Sequence, residues 1–130
     1  MNDTNMLVFV YGTLMSGFRN NYLLDNSKFI GADETVDKFG LYKVKHGDFP
    51  FAIDSEKLTH LLGEVYKVDE YTMQMLDTLE NYPELYIKKE IEVIVNNKRL
   101  KAIIYLKNEN NYKDVIGVTT VNGNYCTVGV

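Results

Sequence analysis

Short extended segments separated by turn signals fill most of this 130-residue sequence, and they constrain its fold more than any other feature. Many short strands in one small domain favour a closed or nearly closed β-barrel, because closure removes unpaired strand edges. Only residues 69–80 have clear helical spacing, while residues 19–24 fit either a short helix or an irregular loop. Apolar or alternating runs predict strands at residues 7–10, 29–36, 40–44, 51–53, 61–68, 86–95, 99–106 and, as two strands, 115–130. Turns are predicted at residues 47–50, 96–98 and 122–123.

The size and composition of the chain indicate one domain spanning residues 1–130. Hydrophobic residues make up 45% of the sequence, which is close to the globular average and sufficient for one core. The formal net charge is −4 and the basic residues are scattered, whereas a nucleic-acid-binding protein normally carries a basic face. The apolar run at residues 6–10 is too short for a signal-peptide core or a membrane span, so we expect a cytoplasmic protein.

The sequence offers little support for metal or disulfide chemistry. Cys126 is the only cysteine, which excludes an internal disulfide and sites of the zinc-finger type. His46 and His60 lack the close spacing of a helical metal pair and are interpreted as surface or loop histidines. We therefore expect neither a metal nor a cofactor.

A carboxylate lies on the apolar side of the one clear helix. Asp69 is the predicted N-cap, and Pro83 closes the segment. When the residues are placed about 100° apart on a helical wheel, Glu80 falls within the arc of apolar side chains. Burying a charged group against a core is costly, so such a residue is usually paired or functional. Pairing with Lys88 or Lys89, or fraying of the helix end, would explain Glu80 without a function. Burial and the negative end of the helix dipole would both raise its pKa, as a general base requires. The rest of the arc comprises Met73, Met75, Leu76 and Leu79.

The glycine-containing loop after the first strand does not fit the common nucleotide or nucleophile motifs. Phe18-Arg19 stands where a P-loop would need Lys-Ser/Thr, and Ser16 is not in a Gly-x-Ser-x-Gly elbow. Gly12 is either a plain turn glycine or a position that lets the main chain approach a ligand. In the second case nearby amide N–H groups could hold an oxyanion or a carboxylate.

Taken together, several segments resemble the γ-glutamylcyclotransferase-like family, and the spacing from Glu80 to Tyr86 is most similar to its γ-glutamylamine branch. The resemblance covers most of the chain and is weakest after Asn108. Its motifs are Val8-Phe9-Val10-Tyr11-Gly12-Thr13-Leu14 with Ser16-Gly17 and Asn20-Asn21, then Gly63-Glu64-Val65-Tyr66-Lys67-Val68-Asp69, and then Leu76-Asp77-Thr78-Leu79-Glu80 with Pro83 and Tyr86.

The resemblance implies a small mixed β-barrel flanked by a few short helices, of the α+β class. It also implies release of 5-oxoproline from a small γ-glutamyl compound, without a metal or a cofactor. On this basis Glu80 is the candidate catalytic residue. The candidate substrate-binding residues are Tyr11, Gly12, Thr13, Leu14, Tyr86 and Tyr105.

Two further interpretations remain open at this point. A non-catalytic family member could bind a small carboxylate ligand or a protein partner in the same pocket, and a purely structural β-domain would leave the inward position of Glu80 without a purpose. The sequence does not identify the leaving amine or the oligomeric state. The interpretation that accounts for Glu80 is a γ-glutamyl cyclotransferase in which this carboxylate moves a proton.

Overall fold

A computed structural model describes residues 6–12, 14–17, 19–44, 50–108 and 115–118, with only the backbone at residues 42–44, 50 and 115–118. One α-helix and one short 3₁₀ helix occur among seven strands in this part of the chain. The elements are β1 (Met6–Val10), the 3₁₀ helix (Asn21–Leu24), β2 (Lys28–Val44), β3 (Pro50–Ile53), β4 (Thr59–Val68), α1 (Glu70–Leu79), β5 (Tyr86–Val95), β6 (Lys98–Lys107) and β7 (Val115–Val118).

Five of these strands close into a barrel in the order β2-β4-β1-β6-β5. The circle is completed where Thr35 of β2 pairs with Val93 of β5. The pairing of β1 with β6 is parallel and the other pairings are antiparallel, so the barrel is mixed. β3 and β7 pair with the C-terminal half of β2. The predicted fold class, a small mixed barrel of the α+β class, is confirmed.

β2 is one strand of 17 residues, so the predicted division into strands at 29–36 and 40–44 was wrong. A register shift against β4 between Glu34 and Lys38 lets the strand bend without ending. The buried Thr35 hydroxyl donates to the Asp37 carbonyl at 2.6 Å and accepts the Leu61 N–H at 3.0 Å. The side chain therefore satisfies backbone groups that the bulge would otherwise leave unpaired.

Alternation along the strands builds two cores. Phe9 of β1 belongs to a cluster of strand residues in the barrel interior, together with Leu61 and Ile104. Val8 and Val10 point the other way and belong to a second cluster, which α1 and the 3₁₀ helix cover. The outer cluster includes Tyr66, Met73, Leu76, Tyr86 and Tyr105. The helix is thus held against the outside of the barrel wall.

Several other sequence predictions agree with the structure, and some concern residues outside the described ranges. Strands β5 and β6 confirm residues 86–95 and 99–106, and Asn96 and Asn97 both take positive φ in the turn between them. Residues 19–24 contain the 3₁₀ helix. The turn at residues 47–49, the hairpin at 122–123, Thr13, His46 and Cys126 lie outside the described residues. Within those residues no helix is long and apolar enough to cross a membrane.

Candidate active site

Glu80 lies at the C-terminal end of helix α1, against the barrel wall. The Asp69 side chain accepts the Thr72 N–H at 2.8 Å, which caps the first turn as predicted. Glu80 is the C-cap residue, and its N–H donates to the Leu76 carbonyl at 2.9 Å. Asn81 then takes a left-handed conformation with φ of 54°, which ends the helix before Pro83.

The buried face of α1 is rotated from the predicted arc. Thr72, Met73 and Leu76 are buried, whereas Leu79 is 39% exposed, so its predicted place in the core was wrong. Glu80 continues the row formed by Thr72 and Leu76 at intervals of four residues and is partly buried. The carboxylate therefore belongs to the inward face of the helix.

Neither of the two lysines that could have neutralised Glu80 does so. Lys88 pairs with Asp77 at 3.0 Å and Lys89 pairs with Asp54 at 2.7 Å. Among the residues that the structure describes, no hydrogen bond or ion pair reaches the Glu80 carboxylate. Burial raises the pKa of Glu80 from 4.5 to about 7, because the surrounding apolar groups disfavour its charged form. A carboxyl group with this pKa can both accept and release a proton near neutral pH.

The three tyrosines that the sequence analysis selected are gathered around Glu80. Burial raises the pKa of Tyr11, Tyr86 and Tyr105, and the negative charge of Glu80 adds to the increase in each case. An electrostatic effect acts over several ångströms, so it places the three hydroxyls within electrostatic range of the carboxylate and does not require contact with it. The tyrosines and Glu80 come from four separate segments of the chain. Tyr86 and Tyr105 belong to the outer cluster that α1 covers, whereas Tyr11 belongs to the cluster in the barrel interior.

Hydrogen bonds fix two of these tyrosines in place. The buried Tyr11 hydroxyl donates to the Tyr105 carbonyl at 2.8 Å and accepts the Ala52 N–H at 3.0 Å. The Tyr105 hydroxyl donates to the Asp77 carboxylate at 2.5 Å. Because both hydroxyls are engaged, these rings are suited to forming a rigid wall beside Glu80. Asp77 is partly buried and anchors the Tyr105 ring, whereas Tyr11 is held by backbone groups.

The loop after β1 forms a tight turn next to this wall. The Met15 N–H donates to the Gly12 carbonyl at 3.0 Å, and Leu14 buries its side chain in the outer core cluster. Leu14 therefore anchors the loop, and only its backbone can face a ligand. Gly12 is partly exposed, and Thr13 lies outside the described residues. The N–H groups of Met15 and Ser16 already have acceptors, so the described loop amides that we consider as donors to a ligand are those of Gly12 and Leu14.

Sequence reasoning missed Glu64, which ties this loop to the barrel. The Glu64 carboxylate accepts the Ser16 N–H at 2.7 Å and the Ser16 hydroxyl at 3.1 Å. It also accepts the Tyr66 hydroxyl at 2.9 Å. Alternation along β4 shows only that Glu64 points away from the barrel interior, and its partner Ser16 lies 48 residues earlier in the chain. The one available signal was its place in the Gly63-Glu64 segment of the family resemblance.

Comparison with known proteins points to one family. The family model described as "Gamma-glutamyl cyclotransferase, AIG2-like" matches residues 8–126. A Methanocaldococcus jannaschii protein, MJ1514, has a provisional gamma-glutamylcyclotransferase name and is 38% identical over 120 residues, covering 91% of this chain and 93% of that protein. Gamma-glutamylaminecyclotransferase A of Danio rerio is 31% identical over 107 residues, covering 75% of this chain and 66% of that protein. An AIG2-like protein of Mus musculus shares the fold, with a TM-score of 0.74 at 24% identity over 82% of this chain and 79% of that one.

Proposed function

The chain belongs to the gamma-glutamyl cyclotransferase, AIG2-like family, and from this premise we propose that it releases 5-oxoproline and a free amine from a γ-glutamylamine or a related γ-glutamyl amide. Glu80 is the general base and general acid of this reaction. The observation that carries the proposal is a partly buried carboxylate with a pKa of about 7, within electrostatic range of three tyrosines from separate segments of the chain. The proposed partner is a small γ-glutamyl substrate, and the proposed place of action is the cytoplasm.

The substrate contains its own nucleophile. Its α-amine attacks the carbonyl carbon of its side-chain amide, which forms a five-membered ring and places a negative charge on the carbonyl oxygen. The amide C–N bond then breaks and the leaving nitrogen takes up a proton. Tethering makes the attack intramolecular, which lowers the entropic part of the barrier once the geometry is correct. The protein must supply proton transfer, charge stabilisation and orientation.

The raised pKa of Glu80 makes the proton transfer feasible. A free α-ammonium group has a pKa of about 8, so transfer to a carboxylate of pKa about 7 costs roughly 1.4 kcal/mol. With the ordinary value of 4.5 the same transfer would cost roughly 5 kcal/mol. Glu80 then returns the proton to the leaving amine.

The charge on the carbonyl oxygen requires hydrogen-bond donors. In this proposal they are backbone N–H groups of Gly12, Thr13 and Leu14, and removing one donor of this kind typically costs on the order of 10²–10³ in rate. Tyr11, Tyr86 and Tyr105 form the wall of the substrate pocket. Two observations support the γ-glutamylamine class of substrate: the spacing of Glu80, Pro83 and Tyr86 in the sequence, and the similarity to the Danio rerio protein named for that activity.

The test is a panel of γ-glutamyl compounds with 5-oxoproline measured by mass spectrometry. The panel contains ε-(γ-glutamyl)-lysine, γ-glutamyl-methylamine, γ-glutamyl-alanine and glutathione. We expect release from at least one compound with a simple amine leaving group, and slower release from glutathione. If the folded protein releases 5-oxoproline from none of them, the enzyme proposal is refuted. Stabilisation by 5-oxoproline or glutamate in a thermal-shift assay would then support the non-catalytic alternative.

A further inference from the structure

We infer that Glu64 is a positioning residue for the reaction: its carboxylate holds residues 14–16 so that the Leu14 amide is aimed at the substrate carbonyl oxygen. This inference rests on the proposed function. It adds a second carboxylate to the site, one that touches neither the substrate nor the proton in transit.

The contact between Glu64 and Ser16 is the strongest part of the argument. One carboxylate receives both the backbone N–H of Ser16, at 2.7 Å, and the hydroxyl of the same residue, at 3.1 and 3.3 Å. A bond from a backbone N–H to a carboxylate is stronger than one to a neutral acceptor. The end of the turn is therefore fixed in both position and orientation.

A second set of hydrogen bonds holds the start of the same segment. The Tyr66 hydroxyl donates to Glu64 at 2.9 Å and accepts from the Asn21 side chain at 3.1 Å. The other contact of the Asn21 amide is the Leu14 carbonyl, at 2.8 Å. The network thus joins both ends of residues 14–16 to Glu64 and Tyr66 on strand β4.

The base of this network is rigid. Glu64 pairs directly with Val10 in the β1–β4 ladder, two residues before Gly12. A carboxylate at this position is anchored to the same strand that leads into the loop. Small errors in the direction of an oxyanion donor are costly, because the donor must point at the position that the charged oxygen will occupy.

The use of a carboxylate, and not a neutral amide, is also informative. A carboxylate is purely an acceptor, so it can receive the Ser16 N–H, the Ser16 hydroxyl and the Tyr66 hydroxyl at once. In the described part of the chain no cation pairs with Glu64, so these three donors are what stabilise its negative charge. Glutamine has the same shape but is neutral, so the Ser16 N–H and the Tyr66 hydroxyl lose a charged acceptor, and the Ser16 hydroxyl must turn to accept from the new NH₂ group. Glu64→Gln is therefore a conservative change that weakens the hydrogen bonds of the network and keeps the side chain.

The experiment compares Glu64→Gln with Glu92→Gln, a matched control in which an exposed carboxylate on β5 is replaced. Glu92 is bonded to Arg99 at 3.3 Å, and no hydrogen bond joins it to the described residues of the loop. We expect Glu64→Gln to lower kcat by up to about 10²-fold, the typical cost of losing one oxyanion donor, because the donor is held less firmly. The acidic limb of the pH profile that belongs to Glu80 should not move. Glu92→Gln should keep the wild-type kcat.

Two further measurements separate positioning from a general loss of structure. The Ser16 amide proton should move upfield in the NMR spectrum of Glu64→Gln, while amide signals of β5 and β6 keep their positions. Tyr66→Phe removes one donor to Glu64 and should give a smaller loss in kcat than Glu64→Gln.

The outcomes distinguish this inference from the function on which it rests. If the wild type turns over substrate and Glu64→Gln has the same kcat, the role of Glu64 is refuted and the proposed function stands. A decrease that merely follows the folded fraction, or that appears only in KM, also refutes it. Absence of turnover in the wild type refutes the proposed function and this inference with it.

Discussion

Replacing Glu80 by glutamine should stabilise the protein at neutral pH, and the gain should disappear in acid. Burial raises the pKa of Glu80 from 4.5 to about 7, so the folded protein keeps this proton to higher pH than the unfolded chain does. Unfolding releases the proton between these two values, and the free energy of unfolding therefore falls as pH rises through that window. Glutamine cannot ionise and removes this dependence.

The magnitude follows from the same two values. Each pKa unit between the folded and unfolded states corresponds to about 1.4 kcal/mol, so the full difference is about 3 kcal/mol above pH 7. Urea unfolding followed by circular dichroism, at pH values from about 4 to 9, measures it directly. The difference in unfolding free energy between Glu80→Gln and wild type should be flat below about pH 4.5, rise in favour of the variant, and level off above about pH 7.

The shape of the curve decides the question, because a constant offset from the substitution itself does not depend on pH. Glu92→Gln serves as the control, since an exposed ion pair contributes on the order of 0–1 kcal/mol and should produce no such rise. A Glu80 difference curve that is flat over the whole range, or that slopes the other way, would refute the claim that burial raises the pKa of this carboxyl group.

Two further predictions concern the surroundings of the site. Asp77→Asn should lower the pKa of Glu80, because it removes a nearby negative charge and leaves the positive charge of Lys88 uncompensated; the acidic limb of kcat/KM should shift to lower pH. Gly63→Ala should destabilise the fold by roughly 1–3 kcal/mol in urea unfolding. Its new Cβ would lie 2.3 Å from the Val10 carbonyl oxygen, a backbone atom that cannot turn away.

Much of the barrel could be predicted because its signals are local. Strands β5 and β6 follow from alternation and from the Asn96-Asn97 turn, in which both residues take the left-handed conformation that this hairpin requires. Helix α1 follows from the Asp69 cap. In each case the residues that determine the element lie within it or beside it.

The errors arise where distant contacts override local pattern. The break in β2 was wrong because Thr35 satisfies the bulge with a backbone group from Asp37 and another from Leu61 on β4. Leu79 was placed in the core because its spacing is correct. The position of α1 on the barrel, which sequence spacing does not determine, turns that side chain outward.

The candidate site shows the same division. Periodicity alone indicated that Glu80 faces inward, and the family resemblance drew Tyr11, Tyr86 and Tyr105 into the same group. Glu64 could not be found in this way, because a glutamate on the outer face of a strand resembles an ordinary solvated residue. Its importance becomes visible only once folding brings the loop after β1 against β4.

The central claim is that Glu80 moves the proton in a ring-closing release of 5-oxoproline. The most direct measurement is kcat for Glu80→Gln on the best substrate of the γ-glutamyl panel, with Glu92→Gln as the matched control and circular dichroism to verify folding. General acid–base catalysis typically contributes on the order of 10²–10⁴ in rate, so we expect Glu80→Gln to lose at least about 10²-fold while the control retains wild-type turnover. A folded Glu80→Gln protein that releases 5-oxoproline at the wild-type rate would contradict the account.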